Sequence, residues 1–214
     1  MSRSAKEGSL HARDRHSRPS LILASASPRR REILSRLGIA FELVIPEVEE
    51  LREGPPERLV IENARRKART GLERATPGGV SLGVDTEVVV DGRVLGKAED
   101  ADVARRHLEL LSGRSHEVFS GLVLLGEGER AGTARSQVTF RRLDERAIEL
   151  YLASEEWRDR AGAYAIQGLG SLLVERIEGD LSNVIGLPVG LLLELAPELL
   201  ETARPRGREG SGKT

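Results

Sequence analysis

Leu21-Ile-Leu-Ala-Ser-Ala-Ser-Pro-Arg-Arg-Arg31 is the stretch whose reading decides the fold class. Leu21 to Ala24 is a short apolar run of the kind buried in a sheet. Ser27 suits a helix N-cap, and Pro28 suits the first helical position, where a missing N–H costs nothing. Ile33, Leu34 and Leu37 recur at helical spacing until Gly38 supplies a stop. A strand that feeds a helix through a polar turn opens an α/β domain.

The charge of this helix start is unusual. Arg29, Arg30 and Arg31 fill the first turn, where free N–H groups and the helix dipole already favour anions. Arg30 stands three residues after Ser27, where Glu or Gln would stabilise. Two readings stay open on local grounds. Serines, N–H groups and guanidiniums together make a phosphate site; a solvated helix start with its arginines in water fits as well.

Composition narrows the rest. A chain of 214 residues, 39% hydrophobic and 31% charged, fits one globular domain with a core of its own. Only 3% of residues are aromatic, so the core is aliphatic, and stacking platforms for single-stranded nucleic acid are disfavoured. The absence of cysteine excludes disulfides and thiolate chemistry. Of four histidines, His11 and His16 lie near the N-terminus, which argues against a multi-histidine zinc site. No apolar run approaches the roughly 18 residues of a membrane span, and no signal-peptide core is present. Cytoplasm is the expected address. The net charge of −1 conceals a segregation: basic residues dominate both 1–20 and 204–214, and the body between is acidic. We expect a disordered basic leader (1–19), one domain (20–202) and a disordered basic tail (203–214).

Along the chain, strands are expected at Phe41–Ile45, Val80–Val84, His116–Leu125, Thr133–Phe140 and Ser171–Ile177. Helices are expected from Pro55-Pro56 to Ala75, Asp100 to Leu111, Leu143 to Ser154, and Pro188 to Leu200. Asp91-Gly92 marks a hairpin between Val88–Val90 and Arg93–Leu95. Hairpins interleaved with βα units predict an α/β fold with a mixed sheet flanked by helices. Asp85-Thr86 closes the Val80 strand, where a carboxylate faces the ligand crevice of an open sheet or else forms a turn. Glu50 ends an acidic loop, Lys67 belongs to a basic helix face, and Lys97 leaves the hairpin. Gln167 lies in the glycine-rich run 161–170, where the backbone can approach a ligand closely.

Several ordered motifs resemble one family. Leu23-Ala-Ser-Ala-Ser-Pro-Arg-Arg-Arg-Glu-Ile-Leu34 is similar to the signature opening of the Maf-type nucleoside triphosphate pyrophosphatases. Gly83-Val-Asp-Thr-Glu-Val-Val-Val-Asp-Gly-Arg-Val-Leu-Gly-Lys97 resembles their central block, and Leu111-Ser-Gly-Arg-Ser-His116 the helix exit that follows. Ala161–Gly170 and Val174–Pro188 resemble the closing blocks.

The resemblance implies an inosine-triphosphatase-like fold with a cleft between two lobes, and hydrolysis of a nucleoside triphosphate to monophosphate and pyrophosphate. It also implies Mg²⁺ or Mn²⁺, which suit hard oxygen ligands, and a homodimer. Carried over by position, Ser25, Arg30 and Lys67 bind phosphates, and Lys97 offsets triphosphate charge beside the catalytic pair. Glu50 and Asp85 attend the metal, and Asp85 is the proton acceptor that activates water. Arg29, Thr86 and Gln167 set substrate preference and match the dTTP/UTP type, which includes modified pyrimidine nucleotides. A Gln amide both donates and accepts, as a uracil or thymine edge requires. The alternatives are a 7-methyl-GTP pyrophosphatase and a non-catalytic nucleotide- or nucleic-acid-binding regulator of septum formation. Two positions depart from the family pattern: Glu87 replaces an apolar residue, and Ala98 replaces a proline.

Overall fold

The computed structural model describes residues 21–203. The leader expected over 1–19 and the chain beyond residue 203 lie outside the described residues. Strand β1 (Leu21–Ala24) is wholly buried and leads into helix α1 (Pro28–Arg36), which ends at Gly38 in the left-handed region. Ser27 occupies the N-cap, but its side chain makes no cap bond. The Ser25 hydroxyl accepts from the Ser27 N–H instead, at 3.1 Å.

Strand β2 (Phe41–Val44), helix α2 (Pro56–Arg74), strands β3 (Val80–Val90) and β4 (Arg93–Leu95) and helix α3 (Ala101–Leu111) follow. Then come β5 (Ser115–Leu125), β6 (Glu129–Phe140), α4 (Glu145–Ala153), a 3-10 turn at Gly168–Leu172 and β7 (Val174–Glu178). Three short helices close the described chain: α5 (Leu181–Ile185), α6 (Val189–Leu195) and α7 (Glu198–Thr202). The single closing helix expected from Pro188 to Leu200 is therefore two. Pro197 cannot donate, and Ala196 before it leaves the helical region at φ −142°.

The sheet is mixed, in the order β2-β1-β3-β5-β6-β7 with β4 beside β3. β1 pairs parallel with β2 and β3, and the remaining pairs are antiparallel. β3 does not stop at Val84 as expected; it runs on because β5 pairs it from Ser81 to Val89. Its opposite edge is divided. β1 covers residues 80–83 and β4 covers 88–90, so 84–87 have no strand partner there. Asp85-Thr86 lies mid-strand, in that interval. The gap is the floor of a cleft.

Two apolar clusters flank it, one aliphatic and one that includes aromatic rings. One gathers Leu23, Leu34, Leu82, Leu122 and Leu192. The other gathers Leu108, Leu111, Val118, Phe140 and Tyr151. Helix α2 packs on the opposite face of the sheet, against Val89, Phe119 and Val123, and its close seat depends on two glycines. A Cβ on Gly83 would lie 2.0 Å from the Ala64 carbonyl oxygen, and one on Gly121 would lie 2.4 Å from that of Val60. With no side chain at either place, the helix backbone rests directly on β3 and β5.

Candidate active site

The sheet-facing side of α2 carries Val60, Asn63, Ala64, Lys67 and Ala68, all buried. The small residues seat the helix, and the two polar ones, four apart, reach over Asp85 on β3. Lys67 Nζ lies 2.6 Å from Asp85 Oδ1 and 2.6 Å from Glu50 Oε1. The Asn63 amide donates to Asp85 Oδ2 at 3.1 Å and to the Leu51 carbonyl at 3.0 Å, and it accepts from the Leu51 N–H at 2.7 Å. One asparagine thus fixes the carboxylate and anchors the loop that carries Glu50. Lys67 is no solvated base; both acids on either side of it offset the cost of burying its charge.

Arg30, 9% exposed, donates through Nε to the Gly186 carbonyl at 2.8 Å. Its Nη1 reaches Ser25 Oγ at 3.2 Å, and its Nη2 reaches Thr86 Oγ1 at 3.1 Å. Thr86 Oγ1 also meets Ser120 Oγ at 2.9 Å, its neighbour across β3 and β5. Arg30 therefore ties β1, β3 and the α5–α6 turn together. A guanidinium has five N–H groups, so two remain for a ligand. Burial pushes the Arg30 pKa down, and the Asp85 and Glu50 carboxylates pull it back up.

A cleft of about 840 Å³ opens above these residues, within the range of small-molecule sites. Ser25, Arg29, Arg30, Glu50, Lys67, Asp85, Thr86 and Lys97 all line it. Gln167 does not. It is exposed, at the start of the 3-10 turn, and its side chain makes no cap bond there. Lys97 is exposed at the rim, and its backbone bridges to Ala161. Glu87 also lines the cleft, and burial, then the Asp85 and Glu50 charges, push its pKa up to about 8. Its carboxyl is thus chiefly protonated at neutral pH.

The Maf-like protein family model matches residues 20–199. The chain belongs to the Maf family. A dTTP/UTP pyrophosphatase of Thermococcus gammatolerans is 49% identical over 82% of this chain and 94% of its own length. One from Deinococcus radiodurans is 42% identical over 83% of this chain and 91% of its own. Among solved structures, a nucleoside-triphosphatase / dITP/XTP pyrophosphatase of Mycobacterium abscessus is 23% identical at a TM-score of 0.40, over 58% of this chain and 75% of that one.

In this Maf-family chain the expected site residues, Gln167 apart, share one cleft. Sequence reasoning missed Asn63. Its signal was present: a polar residue four before Lys67, on the same stripe as Val60, Ala64 and Ala68, is a buried polar position that needs partners. Among the described residues no helix is long and apolar enough to cross a membrane.

Proposed function

We propose that this Maf-family protein hydrolyses dTTP and UTP to the monophosphate and pyrophosphate, with Asp85 accepting the proton of the attacking water. The observation that carries the reading is the set of bonds on Asp85: Lys67 on one oxygen and Asn63 on the other. A carboxylate held by two buried donors cannot swing away, and each oxygen keeps a further lone pair for a water proton. The water oxygen bonds to the α-phosphorus, its proton passes to Asp85, and the bond from that phosphorus to the bridging oxygen breaks with pyrophosphate leaving. Lys67, Lys97 and the two spare N–H groups of Arg30 face the charge on the phosphates.

Glu50 and Asp85 fit a divalent cation, because both carboxylates already converge on one cationic atom, Lys67 Nζ. No group of three acidic or histidine side chains among the described residues could hold a metal alone. These two carboxylates would therefore hold Mg²⁺ or Mn²⁺ together with phosphate oxygens and water. Such an ion, when bound, supplies charge neutralisation at the phosphates.

The specificity positions Arg29 and Thr86, with Arg and Thr as in the dTTP/UTP type, support pyrimidine nucleotides. The experiment is pyrophosphate release across dTTP, UTP and 7-methyl-GTP with Mg²⁺. Turnover of the first two by the native protein, and none by Asp85→Asn with nucleotide binding retained, is the expected result. Near-normal turnover by that variant would remove Asp85 as the base and promote Glu50. Faster turnover of 7-methyl-GTP would overturn the pyrimidine assignment, and no turnover of any triphosphate would leave a binding protein.

A further inference from the structure

The hydroxyl of Thr86 has its hydrogen-bond role fixed by its neighbours. A guanidinium can only donate, so Thr86 Oγ1 must accept from Arg30 Nη2, at 3.1 Å. Ser120 Oγ stands 2.9 Å from the same oxygen. Ser120 is fully buried, and among the described residues Thr86 Oγ1 is its one side-chain hydrogen-bond partner. Were Thr86 the donor, the Ser120 hydrogen would be buried with no acceptor, at the full desolvation cost. Ser120 therefore donates. Both lone pairs of Thr86 Oγ1 are then filled by protein, and its own hydrogen has no protein acceptor among the described residues. Thr86 is half-buried and lines the cleft, so that hydrogen serves the ligand space. A threonine hydroxyl ordinarily donates and accepts; this one can only donate.

What meets that hydrogen follows from the two faces of β3, along which successive side chains alternate. Asp85 turns toward α2, where Lys67 and Asn63 hold it. Thr86 turns the other way, toward Arg30 and Ser120. Val88 shares the Thr86 face and pairs with Val118 on β5. Both valines line the cleft together with Tyr164 and Val184, and all four belong to one apolar cluster. Glu50, Lys67 and Asp85 thus converge on one face, and an apolar wall adjoins Thr86 on the other. With the α-phosphorus over Asp85, that wall suits the uncharged part of the substrate, a nucleobase ring with polar edges.

We infer that Ser120 is a positioning residue that makes Thr86 a donor-only contact for the 4-carbonyl oxygen of a pyrimidine base. This rests on the dTTP/UTP reading proposed above and supplies a physical basis for it. Uracil and thymine present an acceptor at that position. Cytosine presents an amino group there, whose N–H bonds would face a hydroxyl with no lone pair left to offer. The 2-carbonyl oxygen is common to all three bases and would select nothing. Ser120 acts through Thr86 and lies outside the motifs that carry the family resemblance.

The test is calorimetric titration of the full chain with UMP, and separately with CMP, for native protein, Ser120→Ala and Ser120→Cys, with kcat and KM for UTP and CTP measured beside it. Native protein should favour UMP by about tenfold or more, the effect of leaving a donor unpaired. Ser120→Ala frees a lone pair on Thr86, which can then turn and accept from the amino group. The preference should fall to about twofold, chiefly through tighter CMP binding, and in turnover it should appear in KM for CTP rather than in kcat for UTP. Ser120→Cys keeps the shape with a weaker donor and should give an intermediate preference. Equal native affinities for UMP and CMP overturn the inference. A folded Ser120→Ala that keeps the native preference, or weakens both nucleotides equally, does so too. If Ser120→Ala does not fold, Ser120→Cys decides, and an unchanged preference there overturns the role of Ser120. Native protein that prefers UMP through Ser120 yet turns over no triphosphate refutes the hydrolytic reading alone.

Discussion

Gly83→Ala tests whether catalysis depends on how closely α2 rests on the sheet. The new methyl would stand 2.0 Å from the Ala64 carbonyl oxygen and 2.7 Å from the Ala68 nitrogen, where ordinary contacts begin at 3.4 Å. Both obstacles are helix backbone, so no rotamer change relieves the clash, and α2 must lift by about 1 Å. The long Lys67 side chain can follow Asp85. The shorter Asn63 cannot: its bond to Asp85 Oδ2 is already 3.1 Å, and a further ångström breaks it. Overpacking of this kind costs about 1–3 kcal/mol, and loss of the Asn63 bond adds about 1 kcal/mol. Urea unfolding should therefore show a loss of about 3 kcal/mol. Steady-state kinetics should show kcat falling about a hundredfold, as misplacement by an ångström does elsewhere, with KM changing less. Gly128→Ala is the control, since its Cβ would meet nothing within 4 Å; it should stay within about 0.5 kcal/mol of native. A Gly83→Ala protein with native stability and native kcat would refute the reasoning.

Other perturbations bear on separate parts of the molecule. His116 is 2% exposed, its Nε2 meets the Tyr164 hydroxyl at 2.8 Å, and burial pushes its pKa down to about 4. Its contribution to stability is therefore complete above the unfolded pKa of about 6.5 and lost as pH falls toward 4, by about 3 kcal/mol. Urea midpoints for native protein and His116→Phe should converge over that interval; parallel pH profiles would exclude the histidine as the cause. Arg30→Lys keeps the charge but loses the fork that spans Gly186, Ser25 and Thr86, and should cost about 2 kcal/mol in thermal unfolding. An unshifted midpoint would show that the three bonds contribute nothing. Glu156 accepts from the Leu169 and Gly170 N–H groups at 3.2 and 3.3 Å. Glu156→Ala should speed amide exchange across 167–172 while leaving the β3 amides unchanged; uniform exchange rates would deny it that local role.

The legible part of the fold was the part set by local chemistry. Proline at the start of α1, glycine at its end and Asp-Gly between β3 and β4 specify backbone shapes without help from distant residues. What the sequence hid was set by partners far along the chain. β3 reads as two pieces because Asp85, Thr86 and Glu87 interrupt its apolar run; β5 makes it one strand by pairing on its other edge. Lys67 reads as one base among several, and only the helix seat on Gly83 and Gly121 puts it on the buried side. Arg30 was expected at phosphate and is found largely spent on protein atoms, because Gly186, 156 residues on, returns to meet it. Gln167 was expected at the substrate and stands outside the cleft, where Glu156 holds the turn that follows it.

The interrupted edge of β3 has a consequence for how the protein behaves in a crowded solution. Unpaired strand edges invite strands from other chains, and proteins ordinarily blunt them with charge or proline. Here the open interval is four residues, about 13 Å of strand, set between β1 and β4 and floored by a buried carboxylate. It is too short and too deeply set for another chain to extend the sheet, yet long enough to receive a nucleotide. The same break in pairing that opens the cleft thus gives a strand of another chain no template along that interval.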